Sequence, residues 1–183
     1  MLIYCPVKSC VFTQRFGENL NNFYSQLGLL GHNGYDFRAL SGEELIFNVA
    51  GTGEVIEVSD SATYGKRIVV MTKDSDGSYY KHYYGHLMDF NVKEGNIVKL
   101  GDLLGHTDNT GMFTTGAHLH YGLYKCTSGA KTLNRDNGYD GSIDPTKFYV
   151  NVFAKIAVAN IKAQVSIIQK LIDLMKEFWT KIK

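Results

Sequence analysis

Six histidines (His32, His82, His86, His106, His118 and His120) are the side chains of this 183-residue sequence best suited to bind a metal or move a proton near neutral pH. His118 and His120 flank Leu119 just ahead of an aromatic run that includes Tyr121 and Tyr124. On a strand, residues i and i+2 face the same side. Both imidazoles would then converge on one pocket with Leu119 buried behind them, whereas on a helix they would point nearly opposite ways. A second cluster, His32-Asn33-Gly34-Tyr35-Asp36, follows a glycine-rich turn at 28–31. An imidazole and a carboxylate four residues apart on an extended segment can share a face, and Gly34 between them permits close approach. The plainer alternative is a hydrogen bond between His32 and Asp36 across a turn. Imidazole and carboxylate are suitable zinc ligands at about 2.0–2.2 Å, and two histidines with one carboxylate leave the open fourth position that separates catalytic from structural zinc. A third segment, Tyr83-Tyr84-Gly85-His86-Leu87, ends a strand-like run, so His86 could face the same pocket as His118.

These segments need a scaffold, and the sequence supplies strands. Residues 53–59, 66–72, 78–84, 97–104 and 119–124 read as short strands separated by turn-like clusters. Asp76-Gly77 between two such runs is a hairpin signal. Regular strands with no helical stretch between them predict a mainly β fold built on an antiparallel sheet. His82 lies four residues before His86 on an apparent strand, so it could share that face, but it reads more simply as an exposed or edge histidine, as does His106.

Composition bounds the rest. Hydrophobic residues make up 44% of the chain, enough for one well-buried domain and an appendage. A net charge of +1 argues neither for nor against nucleic acid, and no nucleic-acid partner is expected. No apolar run approaches the ~18 residues of a membrane span. The N-terminus lacks the basic and apolar regions of a secretory signal. Three cysteines, Cys5, Cys10 and Cys126, form a poor disulfide framework and read as reduced or buried residues, with one incidental disulfide as the alternative.

From 150 to 183 the pattern changes. Val158, Ile161, Val165, Ile168, Ile172, Met175, Trp179 and Ile182 recur at helical spacing, and Ile167, Leu171, Leu174 and Phe178 widen the stripe past half the circumference. This segment carries six lysines against one aspartate and one glutamate. A C-terminal amphipathic helix is expected, serving for docking on its own domain, self-association or contact with an anionic membrane surface.

The histidine segments taken together resemble the lysostaphin and LytM-type zinc endopeptidases of peptidoglycan. The His-x-x-x-Asp pair (His32, Asp36), the Tyr-x-His-Leu segment (Tyr84 to Leu87) and the His-x-His (His118, His120) occur in the family's order. Gln14-Arg15-Phe16-Gly17, Gly51-Thr52-Gly53-Glu54-Val55, Tyr64-Gly65, Gly101-Asp102-Leu103-Leu104-Gly105, Asn109-Thr110-Gly111 and Ile143-Asp144-Pro145 match the connecting text, so the resemblance spans about residues 11–149. It implies a catalytic domain at 1–149, one zinc ion held by His32, Asp36 and His120, and catalytic roles for His86 and His118. One of these imidazoles would take the water proton, with His118 favoured, and the other would hydrogen-bond the tetrahedral oxyanion. Tyr24, eight residues before His32, is the candidate for the family's oxyanion tyrosine. Ala117 stands where the family commonly has proline.

The activity implied is hydrolysis of peptide bonds in the wall, with a peptidoglycan peptide as the partner. With no signal in view, the setting implied is a phage lysin, released through a membrane hole or carried in a virion. The competing reading is a non-catalytic relative that binds cell wall or regulates an amidase.

Overall fold

A computed structural model describes residues 1–150, 169 and 170 of the chain. The chain divides into two compact units, Met1–Tyr149 and Val150–Lys183. The amphipathic stripe expected over 150–183 lies outside the described residues, apart from 169 and 170, which are helical.

The first unit is built from nine strands: β1 (Phe12–Gln14), β2 (Tyr35–Arg38), β3 (Glu44–Ile46), β4 (Thr52–Ser61), β5 (Gly65–Lys73), β6 (Tyr79–Phe90), β7 (Ile97–Lys99), β8 (Leu103–Thr107) and β9 (His118–Cys126). They form one antiparallel sheet in the order β1-β2-β9-β6-β5-β4-β7, and β8 joins it by pairing with β3 and β6. No helix among the described residues is long and apolar enough to cross a membrane.

Alternation along the central strands creates two unlike faces. Leu119, Tyr121 and Leu123 of β9, Tyr80 and Tyr84 of β6, and Ile68 and Val70 of β5 are buried in one core with Phe37, Phe47 and Ile3. The residues between them, His118 and His120 among them, stand on the opposite face. The β5–β6 hairpin closes where the sequence signalled it. Asp74 N–H donates to the Ser78 carbonyl, and Gly77 takes the left-handed φ of 85° that the turn requires.

Four expectations change. The run 97–104 is two short strands rather than one, because the chain turns at Gly101, whose φ is 95°. A short helical segment, a 3-10 turn at Leu20–Asn22 followed by Phe23–Gln26, interrupts the β pattern; Asn21 and Asn22 take positive φ there, so no helical periodicity marks it. Cys5 and Cys10 are disulfide-bonded with their Cα atoms 5.5 Å apart, a separation the tight turn between them permits, while Cys126 is free and buried.

The fourth is His82. It is fully buried, with Nε2 2.9 Å from Thr72 Oγ1 and Nδ1 2.7 Å from the Tyr121 hydroxyl. It shares the core parity of Tyr80 and Tyr84, and only the β-sheet partners on both sides of β6 reveal that this strand is central. Burial depresses its pKa from 6.5 to about 3. The unfolded chain therefore binds a proton that the folded chain refuses between those two values, and folding stability falls as pH drops through that window. From pH 7 to pH 5 this contribution is about 2 kcal/mol. Urea unfolding in the presence of a chelator should show the wild type losing about that much more than a His82→Gln variant; equal losses would show that His82 carries no such burden.

Candidate metal centre

β2 and β9 pair so that Asp36 lies directly opposite His120. Their side chains meet on the open face of the sheet, across 84 residues of sequence, with His120 Nδ1 3.0 Å from Asp36 Oδ1. His32 enters from the loop ahead of β2. Its backbone N–H donates to the Glu18 carbonyl and its own carbonyl accepts from Gly17, each at 2.8 Å. Its Nδ1–H donates to the Arg15 carbonyl at 3.3 Å, which turns Nε2 toward the other two residues. His32 Nε2 then lies 3.0 Å from His120 Nδ1 and 3.2 Å from Asp36 Oδ1.

Gly34 makes this approach possible. A Cβ there would fall 2.5 Å from the Tyr121 carbonyl oxygen and 2.7 Å from His120 Cε1. Gly34→Ala should therefore displace the His120 ring. The expected outcome is weaker zinc binding by about 10- to 100-fold, the range seen when the supports of a ligand are disturbed. Competition against a chromophoric chelator would measure it, and unchanged affinity would mean the backbone absorbs the methyl group.

Three donors from one tetrahedral zinc, each about 2.0–2.2 Å from it, stand roughly 3.3–3.6 Å apart. The observed separations of 3.0–3.2 Å come close to that triangle. The chemistry fits as well. Burial works against charge on Asp36, but the two imidazoles of His120 and His32 beside it outweigh that and hold the carboxyl far below the ordinary carboxylate range. Burial lowers the pKa of His120, more than the nearby carboxylate raises it, so the imidazole is neutral with a lone pair to give. Its other nitrogen, Nε2, is buried and has no hydrogen-bond partner among the described residues; the Tyr64 ring packs 5.2 Å from the imidazole instead.

The donors open into a groove of about 590 Å³ that His86, His118, Tyr24 and Tyr64 also line. His118 shares the open face of β9 with His120, two residues away. Its Nδ1–H donates to the Gly116 carbonyl at 2.8 Å, and its Nε2 is 3.7 Å from Asp36 Oδ2.

His86 reaches the groove by another route. By strict alternation it would face the core with His82 and Tyr84. Instead the register of β6 slips on both sides of it: Tyr84 pairs with Ile68 but Leu87 pairs with Lys66, and the β8 pairing shifts between Leu87 and Asp89. His86 takes a φ of 64°, with its N–H donating to the Tyr64 carbonyl at 2.7 Å. This bulge puts His82 and His86 on opposite faces, and it returns Leu87 to the core. His86 Nδ1–H donates to the Thr110 carbonyl at 2.7 Å, its ring centre lies 4.6 Å from that of His118, and burial lowers its pKa to about 4.

Tyr24 lines the groove with its ring 5.4 Å from His32. Its hydroxyl proton is committed to Gln14 Oε1 at 2.8 Å. Burial chiefly, with the Asp36 charge adding to it, pushes its pKa up, so it is a neutral donor. His106 stays near the surface, 2.9 Å from Asp89 and away from the groove. Tyr64 and Asn33 are groove residues that the sequence did not single out as such. Asn33 donates to the Tyr64 hydroxyl at 2.8 Å, and the only sequence signal for Tyr64 was its place in the connecting text beside Gly65.

The family described as Peptidase family M23 matches residues 30–135. Among curated relatives, lysostaphin of Staphylococcus simulans is 33% identical over 97 residues, 52% of this chain and 19% of lysostaphin. Peptidoglycan DD-endopeptidase ShyA of Vibrio cholerae is 35% identical over 92 residues, 50% of this chain and 20% of ShyA. The matched part is thus about a fifth of either relative's length. Among solved structures, a point mutant of the catalytic domain of the prophage-encoded M23 protein EnpA from Enterococcus faecalis matches with a TM-score of 0.53 and 26% identity, over 73% of this chain and 95% of that one.

Proposed function

Because the chain belongs to peptidase family M23, we propose that it is a zinc-dependent endopeptidase that hydrolyses peptide bonds in bacterial peptidoglycan. The observation that carries this reading is the cluster of His32 Nε2, Asp36 Oδ1 and His120 Nδ1, opening into a groove that two further imidazoles, His86 and His118, also line. When bound, zinc would polarise the scissile carbonyl and acidify water.

The protein's own groups divide the remaining work. Both His86 and His118 spend Nδ1–H on a backbone carbonyl, so the neutral form of each offers an acceptor at Nε2. His118 is the base: its Nε2 lies in the groove 3.7 Å from Asp36 Oδ2, where it takes a proton from the attacking water. The same Nε2 then returns that proton to the leaving amine nitrogen. His86 is less easily charged, because burial opposes its protonation. Without a proton on Nε2 it is an acceptor, and we assign it to orienting the water or a substrate N–H rather than to donating to the oxyanion. Tyr24 is left as the neutral donor for the oxyanion, provided it exchanges its bond to Gln14.

All five of His32, Asp36, His86, His118 and His120 are present, which favours this reading over a non-catalytic wall-binding or amidase-regulating relative. A prophage-encoded relative with the same fold supports a phage lysin as the setting.

The test is clearance of purified cell-wall suspensions from several wall types. The zinc-loaded protein should clear at least one of them, a chelator should stop it and added zinc should restore it. Failure on every wall type would end the enzyme reading. Mass analysis of the released fragments would identify the bond.

A further inference from the structure

The open face of the sheet continues beyond the metal donors. Gly85 of β6 pairs with His120, Tyr83 with Gly122, and Lys81 with Tyr124. Beside Lys81 lies a second cavity of about 250 Å³, which shares Tyr64, Arg135 and Asp140 with the groove. Three cations line it, and two are already paired. Arg67 donates to Glu57 Oε1 from Nε at 2.8 Å and from Nη2 at 2.6 Å. Arg135 sits 2.8 Å from Asp140.

Lys81 differs. Only 7% of it is exposed. Its ammonium donates to the neutral Thr132 hydroxyl at 2.6 Å and lies 5.5 Å from the centre of the Tyr83 ring. Among the described residues, no carboxylate stands within 4.0 Å of it. Holding an ammonium out of water against a neutral acceptor is unfavourable, and desolvation lowers its pKa accordingly. An anion entering the cavity would offset that penalty through a charge-assisted hydrogen bond.

We propose that this cavity is a carboxylate-binding subsite, in which Lys81 pairs with a carboxylate of the substrate peptide and sets that peptide's register against the metal donors. The proposal rests on the peptidase reading above. Lys81 stands four residues along β6 from Gly85, the neighbour of His120, or ~13 Å at ~3.3 Å per residue. An extended peptide would therefore carry the carboxylate roughly three to four residues from the bond held at the metal donors. The carboxylate could be a chain terminus or belong to an acidic residue within the peptide.

The experiment measures binding of the wall tetrapeptide L-Ala–D-Glu–L-Lys–D-Ala to the zinc-loaded His118→Ala chain by calorimetry. The peptide is supplied with both carboxylates free, with only the C-terminal one amidated, with only the glutamyl one amidated, and fully amidated. The expected result is that one free carboxylate gives on the order of tenfold tighter binding than its amide. Lys81→Met should erase that preference and Lys81→Arg should keep part of it. No preference in the parent, or a preference that survives Lys81→Met, overturns the subsite. Should Lys81→Met not fold, the NMR resonance of Lys81 Cε in the parent decides: it should move with the free carboxylate and stay still with the amide, and no movement overturns the proposal. Wall clearance by the wild type separates the two claims. Clearance without the preference removes the subsite alone; the preference without clearance on any wall removes the peptidase reading and, with it, the substrate role of the subsite, leaving Lys81 as a carboxylate-binding residue only.

Discussion

Replacing His120 with alanine should give a folded chain that no longer retains zinc through gel filtration and that clears wall suspensions at least about 1000-fold more slowly. The site's geometry explains why no neighbour can substitute. His120 Nδ1 is the atom that meets both other donors, 3.0 Å from Asp36 Oδ1 and 3.0 Å from His32 Nε2. Without it, one imidazole and one carboxylate remain, too few for a closed three-donor set. His118 stands on the same strand face, yet its Nδ1–H is tied to Gly116 and its Nε2 lies nearer the other oxygen of Asp36, at 3.7 Å. The fold should survive because Leu119 and Tyr121 on the opposite face carry the packing of β9. Metal content by elemental mass spectrometry and clearance rate should fall together. A variant that keeps one zinc per chain and full clearance would remove His120 from the metal centre.

His118→Ala should separate chemistry from metal binding. Here zinc content should stay at the wild-type level while clearance at saturating wall concentration drops by about 10²- to 10⁴-fold, the usual contribution of a positioned acid–base group. His86→Ala should also keep the metal but lose less, because an acceptor that orients is easier to replace by water than the group that carries the proton. The order of the two losses tests the assignment. If His86→Ala is the more damaging, the proton passes through His86 and His118 is not the base. If either variant loses its zinc, that histidine supports the metal centre directly and the division of labour fails.

Much of this centre was legible from residue types and spacing, because those signals are local. The period of two in His118-Leu119-His120 is a property of any strand, and it places both imidazoles on one face before the strand's neighbours are known. Asp76-Gly77 marked the hairpin for an equally local reason, the left-handed turn that glycine tolerates. His82 and His86 show where local reading stops. Four residues apart on one strand, they should share a face, and only a bulge between them separates them. That bulge is set by register against β5 and β8, so no pattern within β6 announces it. His82 read as an exposed or edge histidine for the same reason: centrality in a sheet depends on which distant strands pair on either side.

Residue types and spacing are enough to mark His32, Asp36 and His120 as candidate donors, to set two further histidines beside them, and to predict strands under most of them. Which atoms meet depends on the folded sheet. The pairing of Asp36 opposite His120 spans 84 residues, and it follows from the register of β2 on β9. The same non-local packing chose Nε2 of His32 and Nδ1 of His120 as the inward nitrogens, fixed Nδ1 of His86 and His118 on loop carbonyls, and buried Lys81 with no carboxylate within 4.0 Å among the described residues. Donor identity is written in single residues, but direction and distance come from contacts between segments far apart in the chain, and those contacts exist only once the sheet has closed.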